Sequence, residues 1–460
     1  MTTTESIAAP VNISDDALRG RRVVVMGLGR FGGGVGVTRF LARCGADVLV
    51  TDHADAEQLR SAVDAVGDAR VTYRFGPHDP SDLEGASLLV VSPAVDPRRD
   101  PFVGAAIGRG VAWTTEINLL LARCPATLIG VTGSVGKSTT CTMIHAMLER
   151  AIAEGAVAYR AAHLGGNIGT SLLDRVDRMD RRDVAVLELS SFQLEWVIHG
   201  QLRLRIAVIT NVAAHHLDRH RTMPAYLDAK LNLLRGQPPA DAIILGSGDE
   251  PLRSAVRQIG ADRGIPIRAV TSDTAERVVN LPGEHNRQNA SVAVAAAVAA
   301  GAPESVCRAV LGRLTALPHR LEWIGAKNGV GYYNDSKSTS AGSLAVAIAA
   351  FDEPIVLLCG GKVVTGEIAA IAKLRFDRVV CAACFGEARR VLIEVLGAQL
   401  GRRRVCAVET VQDAVRWAFR TAEPGQIVLF SPGLPSYDAF CNYEQRGEAF
   451  RDAVGDHHIR

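Results

Sequence analysis

The chain has 460 residues, of which 48% are hydrophobic and 22% charged, and its formal net charge is +2. Such a chain is long enough for several domains, each with its own core, and so balanced a charge argues against a nucleic-acid-binding or membrane-surface protein. Met1–Asp16 lacks the apolar core of a signal peptide, and no later segment is long and apolar enough to span a bilayer. We therefore expect a soluble, cytoplasmic protein without nucleic acid or membrane insertion, and separately we expect it to act as a monomer.

The cysteines give no sign of a disulfide framework. There are 9 of them, scattered without regular spacing, and an odd number in a cytoplasmic chain indicates reduced thiols. Cys381 and Cys384 form a C-A-A-C pair, but a zinc site would need a second pair close in space. We assign this pair no role.

After a polar leader, residues 1–20, the sequence predicts a β-α-β unit. The strand Arg22–Met26 enters G-L-G-R-F-G, whose glycine spacing matches a dinucleotide fingerprint. A helix then runs to Arg43, and a second strand, Ala46–Thr51, ends at Asp52. An acid about 20 residues past the glycines is placed to bind a ribose or a base edge. The pattern predicts a nucleotide-binding domain without deciding which nucleotide.

A further buried strand, Leu88–Ser92, ends at the kind of edge where parallel sheets bind ligands. The stretch Arg109–Pro125 carries an apolar helix and precedes another strand. We predict a domain boundary there, so that the first domain covers residues 21–120.

The stretch Leu128–Thr140 has the layout of a phosphate-binding loop. It reads L-I-G-V-T-G-S-V-G-K-S-T-T and is followed by a helical pattern. Glycines let backbone N–H groups close on phosphate oxygens, and the helix N-terminus adds positive charge. Lys137 would supply a point charge and Ser138 a magnesium ligand. Val131 stands where a strict P-loop has its first glycine, so a glycine-rich turn with a surface lysine is the alternative to an ATP site.

Two later strands, Val184–Leu189 and Ile206–Asn211, end in polar residues. Glu188 is the kind of oxygen ligand that a phosphate-bound magnesium ion requires, with a solvated strand-end acid as the alternative. Residues 211–220, N-V-A-A-H-H-L-D-R-H, indicate a metal or phosphate contact, with zinc as the rival metal. Alternating strands and helices predict a doubly wound parallel sheet over residues 121–317.

Two helices are expected downstream. Tyr226–Leu234 carries Lys230, which from its surroundings alone would be a surface lysine. Ala290–Ala300 is alanine-rich and is introduced by P-G-E-H-N.

The last third, residues 318–460, predicts a third α/β domain. Its strands are expected at Gly331–Asn334, Ile355–Cys359, Arg378–Cys381, Val405–Val408 and Gln426–Phe430. P-H-R-L-E places Arg320 at the domain junction, and N-D-S-K-S-T places polar residues where a strand meets a helix. Ser436, which follows another strand, is interpreted either as a helix cap or as a carboxylate contact.

Taken together, these motifs resemble the Mur ligase family over nearly the whole chain after the leader. They occur in the family's order: G-L-G-R-F-G, S-P-A-V, V-T-G-S-V-G-K-S-T-T, G-G-N-I-G, L-E-L-S-S-F-Q-L-E, H-L-D-R-H, P-G-E-H-N-R-Q-N, P-H-R-L-E, N-D-S-K-S-T and S-P-x-x-x-S-Y-D-x-F-x-N-Y-E-x-R-G. S-S-F-Q-L-E and the C-terminal signature resemble the branch that adds D-glutamate to UDP-N-acetylmuramoyl-L-alanine in peptidoglycan synthesis.

The resemblance implies three α/β domains. The N-terminal one would be Rossmann-like and hold the UDP of the substrate, the central one would be a P-loop ATPase domain with a mostly parallel sheet, and the C-terminal one would be Rossmann-like and bring the amino acid. It implies an amide ligase that uses ATP and Mg²⁺ and passes through an acyl phosphate. A related ligase with another amino acid or acceptor, or a paralogue with impaired catalysis, remains the alternative.

The resemblance also assigns site residues. The UDP-substrate would face Gly27, Leu28, Gly29, Asp52, Ser92, Asn167 and Ser190. ATP would be held by Gly133, Gly136, Lys137, Ser138, Thr139, Asn286, Asn289, Arg320 and Asp335. Magnesium would be bound by Ser138, Glu188, His216 and Lys230, the last as a carbamate, which replaces its interpretation as a surface lysine. D-Glutamate would be surrounded by Lys337, Thr339, Lys362, Ser436 and Tyr443, and catalysis would rest on Lys137, Glu188, His216, Lys230 and Lys337.

Four places depart from the family's pattern. Val135 stands where asparagine is usual in the phosphate loop, and His215 where aspartate normally precedes the metal histidine. Ser340 replaces the asparagine of S-T-N, and G-G-K-V-V-T-G-E lacks the usual aspartate and second glycine before Lys362. These changes bear on the rate or on the amino acid chosen more than on the fold.

Overall fold

The structure, a computed structural model, describes residues 15–29, 33–67, 69–213, 216–236, 238–270, 281–314 and 316–456. Residues 1–14 of the predicted leader, Gly32 of the fingerprint and His215 lie outside these ranges. The end of the leader forms a short helix, α1 (Asp15–Leu18), and Leu18 is buried. Among the helices described, we find none with the length and apolar character needed to cross a bilayer.

The first sheet is parallel and has 5 strands. They are β1 (Arg22–Met26), β2 (Asp47–Asp52), β3 (Val71–Phe75), β4 (Ala86–Val91) and β5 (Ala112–Thr115), in the spatial order β3-β2-β1-β4-β5. The helices of this region are α2 (Gly33–Arg43), α3 (Arg60–Val66), α4 (Pro101–Gly108) and α5 (Glu116–Arg123). The strand order reverses between β1 and β4, and such a switch point opens a ligand-binding crevice at the carboxyl ends of the strands.

The second sheet is also parallel and has 6 strands. They are β6 (Thr127–Thr132), β7 (Ala162–Gly166), β8 (Val184–Glu188), β9 (Leu204–Ile209), β10 (Ala242–Leu245) and β11 (Ile267–Ala269), in the order β11-β10-β9-β6-β8-β7. Its helices are α6 (Lys137–Ala153), α7 (Ser191–Glu195), α8 (Leu217–His220), α9 (Met223–Leu231), α10 (Glu250–Arg263), α11 (Glu284–Ala299) and α12 (Glu304–Leu311). Because β6 lies between β8 and β9, the polar residues that follow these three strands meet at one edge.

The third sheet has 6 strands, with one antiparallel edge. They are β12 (Glu322–Lys327), β13 (Val330–Asn334), β14 (Ile355–Gly360), β15 (Val379–Phe385), β16 (Val405–Ala407) and β17 (Ile427–Gly433), in the order β12-β13-β17-β14-β15-β16. Its helices are α13 (Ala341–Ala349), α14 (Thr365–Ile371), α15 (Arg389–Leu400), α16 (Val411–Thr421) and α17 (Tyr443–Gly455). The predicted fold class, three α/β domains with parallel sheets, is confirmed.

The chain divides into two compact units. One comprises Met1–Thr274 and Gln288–Val310, and the other Ala275–Arg287 and Leu311–Arg460. In the first unit a continuous core joins the first two sheets, from Val25 on β1 to Leu187 on β8. In the second unit, neighbouring residues of β14 pack into different cores, because a central parallel strand is covered on both faces.

Two local predictions were wrong. The helix expected at Ala290–Ala300 begins at Glu284, so P-G-E-H-N leads into it much earlier than predicted. Ser436 is not the cap of α17, because Asn442 accepts the backbone N–H of Gln445 at 2.8 Å and caps the helix instead.

Candidate active site

The predicted phosphate loop is the turn between β6 and α6. Lys137 is the first residue of α6, and Gly136 caps the helix in a left-handed conformation with φ 85°. A Cβ at Gly136 would lie 2.2 Å from Oδ1 of Asn289, and one at Gly133 would lie 1.9 Å from Oγ1 of Thr210. Only glycine fits these two positions, which allows the loop to pack directly against α11 and the end of β9.

Two lysines converge on this loop. Nζ of Lys137 donates to the carbonyl oxygens of Gly133 at 2.9 Å and Ser134 at 3.2 Å. Nζ of Lys230, on α9, donates to the same Gly133 carbonyl at 2.8 Å. Ser138 and Thr139 continue the first turn of α6, with Ser138 buried. The structure therefore places two amines and the predicted hydroxyls around one turn of backbone.

Lys230 is buried, with a relative exposure of 1%. Its Nζ lies 4.6 Å from the centroid of the Tyr226 ring. Burial, and to a smaller extent the charge of Lys137, lowers the pKa of Lys230 to about 6, although the charge of Glu188 opposes the shift. Its interpretation as a surface lysine was wrong. The neutral amine favoured here is the form of lysine that acts as a nucleophile.

Glu188 is the last residue of β8 and is buried, opposite Val131 in the register with β6. Its Oε1 accepts a hydrogen bond from Nδ2 of Asn167 at 3.1 Å. Its Oε2 is buried without a hydrogen-bond partner among the described residues. An unpartnered buried carboxylate oxygen costs free energy, and carboxylate oxygen is the ligand that Mg²⁺ prefers. Glu188 and the nearby Ser138 therefore fit a magnesium ion bound next to ATP phosphates.

His216 is the N-cap residue of α8 and has a left-handed conformation with φ 53°, and its ring lies 4.9 Å from that of Phe192. Nearby, Nε2 of His220 lies 3.0 Å from Oγ of Ser191. Within the parts of the chain that the structure describes, no cluster of three or more His, Cys, Asp or Glu side chains is arranged to hold a metal. The zinc alternative for residues 211–220 therefore gains no support from the described residues.

Five of the predicted UDP-substrate residues, Gly27, Leu28, Gly29, Asp52 and Ser92, lie at the carboxyl ends of β1, β2 and β4 in the first sheet. The backbone N–H of Gly29 donates to Oδ2 of Asp52 at 3.0 Å. A Cβ at Gly27, which has φ 93°, would lie 3.0 Å from Cβ of Ser92. Leu28 is fully buried in the core, so only its backbone is available to a ligand.

Sequence reasoning missed Arg219, which connects the first two sheets. Its guanidinium donates to the carbonyl oxygens of Ala94 at 3.1 Å and Val95 at 3.0 Å, just after Ser92. It also lies over the ring of Phe192, 5.0 Å from the centroid. Its place in H-L-D-R-H, three residues after His216, was the only signal available in the sequence.

The remaining predicted residue of this region, Ser190, caps α7. Its Oγ accepts the backbone N–H of Gln193 at 3.2 Å, and the Gln193 side chain accepts the N–H of Ser190 in return. This capping box stabilises the start of α7, which begins three residues after Glu188.

The second unit holds the other predicted residues. Oδ1 of Asp335 accepts the N–H of Leu321 at 3.2 Å, and Oδ2 accepts the hydroxyl of Ser431 at 2.9 Å. Burial raises the pKa of Asp335 to about 7, against these hydrogen bonds and the charges of Arg320 and Arg446. Asn286 donates from Nδ2 to the carbonyl of Pro282, whereas Asn289, the other predicted residue of α11, belongs to the first unit.

Lys337 and Tyr443 lie together in this unit, with Nζ of Lys337 4.9 Å from the Tyr443 ring centroid. Ser436 is buried, Thr339 partly buried and Lys362 exposed. The N–H of Lys362 donates to the carbonyl of Pro435 at 2.8 Å, next to Ser436. The altered G-G-K loop therefore still brings the backbone of Lys362 beside the predicted amino-acid site.

Comparison with known proteins identifies the family. The profile of the Mur ligase MurD-like N-terminal domain matches residues 21–114, that of the Mur ligase middle domain residues 131–278, and that of the Mur ligase glutamate ligase domain residues 319–434. The UDP-N-acetylmuramoylalanine--D-glutamate ligase of Geotalea uraniireducens (strain Rf4) is 34% identical over 95% of this chain and 98% of its own length. The ligase of that name from Anaeromyxobacter dehalogenans (strain 2CP-C) is 36% identical over 94% of this chain and 97% of its own. This chain belongs to the Mur ligase family.

Solved structures agree on the Mur ligase fold. The UDP-N-acetylmuramate-alanine ligase of Thermotoga maritima superposes with a TM-score of 0.58 at 14% identity, over 95% of this chain and 99% of the other. A pseudomurein peptide ligase type C from Methanothermus fervidus gives a TM-score of 0.52 at 16% identity, over 95% and 100%.

Within this Mur ligase, the departure at Val135 leaves the loop backbone supported. The N–H of Val135 donates to Oδ1 of Asn211 at 3.0 Å, and its carbonyl accepts from Nδ2 of Asn211 at 2.8 Å and from Oγ1 of Thr210 at 2.7 Å. The side chain itself is 43% exposed. Thr210 was not among the predicted site residues, although it lies at the end of the predicted strand Ile206–Asn211, whereas Asn211 begins the stretch for which a metal or phosphate contact was predicted.

Cys384 of the C-A-A-C pair is buried next to Cys359, with their Sγ atoms 3.9 Å apart on neighbouring strands. All cysteines are free thiols.

Proposed function

We propose that this Mur ligase joins D-glutamate to UDP-N-acetylmuramoyl-L-alanine at the expense of ATP, in the synthesis of peptidoglycan precursors. The observation that carries the proposal is the match, over nearly the full length of both chains, to ligases named for that reaction. The glycine loop with its two lysines and the buried, unpartnered oxygen of Glu188 support it from the structure.

The reaction divides into two steps that need positioning more than covalent help. The γ-phosphoryl group of ATP passes to the alanyl carboxylate, which yields an acyl phosphate and ADP. The amine of D-glutamate then attacks the acyl carbon, and inorganic phosphate leaves as the amide forms. Lys137 and Lys337 would neutralise the negative charge that accumulates on the transferred group, as is usual in phosphoryl transfer.

A magnesium ion, when bound, would neutralise phosphate charge. Ser138, Glu188, His216 and a carbamate on Lys230 would hold it. The carbamate forms when the neutral amine of Lys230 attacks carbon dioxide and loses a proton, which converts a cation into an oxygen ligand. Burial of Lys230 beside Lys137 supports this modification because it favours the neutral amine.

The other substrates would occupy the two remaining domains, and D-glutamate would be surrounded by Lys337, Thr339, Lys362, Ser436 and Tyr443. The uridine diphosphate would bind at Gly27, Gly29, Asp52 and Ser92, and the muramoyl end would reach Asn167 and Ser190.

We place the enzyme in the cytoplasm, where ATP and nucleotide-linked sugars are found, and take it to act as a monomer.

A phosphate-release assay tests the proposal. Purified protein with ATP and Mg²⁺ should release phosphate only when both UDP-N-acetylmuramoyl-L-alanine and D-glutamate are present, and Lys137→Ala should release little under the same conditions. Release with a different amino acid or acceptor would replace the proposal with a related ligase. Release with none would indicate a paralogue that binds nucleotide without catalysis.

A further inference from the structure

Arg446, in the first turn of α17, is completely buried, with a relative exposure of 0%. Its Nε donates to Oγ of Ser336 at 3.1 Å, its Nη2 to the carbonyl of Ser336 at 2.8 Å, and its Nη1 to the carbonyl of Leu434 at 2.9 Å. Arginine is almost never fully buried unless it is paired with an acid. Here the three hydrogen bonds all go to uncharged oxygens.

These bonds join the segments that carry the predicted amino-acid residues. Ser336 directly precedes Lys337, and Leu434 lies two residues before Ser436. The Ser336 hydroxyl in turn donates to the carbonyl of Tyr443 at 2.8 Å. One guanidinium therefore fixes the segments of Ser336 and Leu434 against the start of α17, where Tyr443 lies.

A fourth segment, the altered G-G-K loop, also packs against Arg446. A Cβ at Gly361 would lie 3.0 Å from Nη1 of Arg446 and 2.3 Å from the carbonyl of Pro435. Gly361 has φ 132°, so the loop needs glycine both for its backbone conformation and for this contact. The next residue, Lys362, is held to Pro435 through its N–H.

The buried guanidinium also contributes charge. Among the described residues no ion pair within 4.0 Å includes Arg446, and the carboxylates that act on it through space are those of Asp335 and Asp438. Burial lowers its pKa to about 10, so the group remains positive at neutral pH. A cation in low-dielectric surroundings favours a nearby anion much more than a solvated cation does.

We propose that Arg446 is a positioning residue of the amino-acid site: it holds the segments of Lys337, Lys362, Ser436 and Tyr443 together, and its buried charge favours an amino acid with two carboxylates. The inference rests on the proposed function, which assigns those four residues to D-glutamate. Arg446 acts through its neighbours and through its field, not by contact with the reacting atoms.

The test separates geometry from charge. Arg446→Lys keeps the charge but loses the planar set of donors, so the KM for D-glutamate should rise about tenfold or more, as expected when a charge-assisted hydrogen bond is lost. The KM for the UDP-substrate should stay within about twofold, since the residues proposed to bind it lie on other segments. Arg446→Gln removes the charge, and it alone should also reduce the preference for D-glutamate over D-glutamine.

Arg416→Lys is the matched control, because Arg416 belongs to the same unit but is exposed and paired with Asp413. Ser336→Ala offers a second route if the arginine variants do not fold, since it removes the hydroxyl between Arg446 and Tyr443 and should raise the same KM. Unchanged KM for D-glutamate in a folded variant, or an equal rise for all three substrates, would overturn the inference. Wild-type turnover with D-glutamate in the same assay tests the proposed function separately.

Discussion

Val135 changes the chemistry of the phosphate loop without changing its shape. Both backbone polar groups of Val135 are bonded to the side chain of Asn211, so the loop does not depend on the side chain at position 135. That side chain is largely exposed. Compared with the asparagine usual in the family, the valine therefore lacks a hydrogen-bonding group at the proposed phosphate site, and the loop loses no structural contact.

Val135→Asn should lower the KM for ATP by about two- to tenfold, the value of one hydrogen bond, and should change the free energy of unfolding by less than about 0.5 kcal/mol. Steady-state kinetics with varied ATP and denaturant unfolding measure the two quantities. Val135→Ala is the control, because it shortens the side chain without adding a donor. Equal ATP KM values for valine and asparagine would show that this position does not contact the nucleotide.

Lys230 is the residue whose proposed role differs most from its sequence-based interpretation. We expect Lys230→Ala to lose about a hundredfold or more in kcat, as when a group that stabilises transition-state charge is removed. Added short carboxylates such as formate or acetate should restore part of the activity, because they can replace the oxygens of a carbamate. Lys137→Ala, which lacks a cation rather than an anion, should not respond to them. Full activity of the alanine variant would disprove the carbamylation.

At the scale of elements, α13 shows how one departure from the family pattern is tolerated. Ser340 caps this helix: its Oγ accepts the N–H of Ser343 at 3.3 Å, and Oγ of Ser343 accepts the N–H of Ser340 at 3.2 Å. Glu367 adds a carboxylate at the same helix start, where it accepts the N–H of Ala341 at 2.7 Å. Serine and asparagine are both good N-cap residues, so the exchange preserves the helix.

Ser340→Ala should lower the free energy of unfolding by about 1 kcal/mol, the usual cost of a lost cap, whereas Ser340→Asn should have almost no effect. Urea or guanidinium denaturation measures both changes. Ser343→Ala, which removes only the returning half of the capping box, should give an intermediate value. A stable alanine variant would mean that Glu367 alone is sufficient at this helix start.

At the scale of the whole molecule, the junction between the first two sheets contains a carboxyl group that titrates near neutral pH. Glu116 begins α5, and its Oε1 accepts a hydrogen bond from Ser171, which packs against Gly36 of α2. Nearby, Arg39 of α2 pairs with Asp174 at 2.6 Å. Burial, with a smaller contribution from the charge of Asp174, raises the pKa of Glu116 to about 7, although the hydrogen bond from Ser171 opposes the shift.

Because this pKa is higher in the folded than in the unfolded state, the folded protein holds the proton between about pH 4.5 and 7. The stabilisation is fully present below that window and is lost as the pH rises through 7. Wild type should therefore lose stability relative to Glu116→Gln between pH 5 and 8, by on the order of 1–3 kcal/mol. Unfolding curves of both proteins at each pH measure it. A difference that does not vary with pH would contradict the assignment.

Local patterns were sufficient for the class of fold and for most elements. Buried strands such as β1, β8 and β14 are continuous apolar runs, and a run of that kind identifies itself without knowledge of its neighbours. The strands that were missed include β3 and β7, which lie at sheet edges and are only partly buried. An edge strand pairs with a neighbouring strand on one side only. Because β3 and β7 are also only partly buried, their sequences lack the continuous apolar run of a buried strand.

The sequence by itself determined the three α/β domains, the family, and the loops that would carry the chemistry, because motif order and hydrophobic periodicity are local properties of the chain. Only the tertiary structure decided which side chains share an environment. The burial of Lys230 beside Lys137, the unpartnered oxygen of Glu188 and the enclosure of Arg446 by four segments all depend on contacts between residues far apart in sequence. Burial and charge pairing arise from those contacts, and they determine which groups are neutral, charged or available to a ligand.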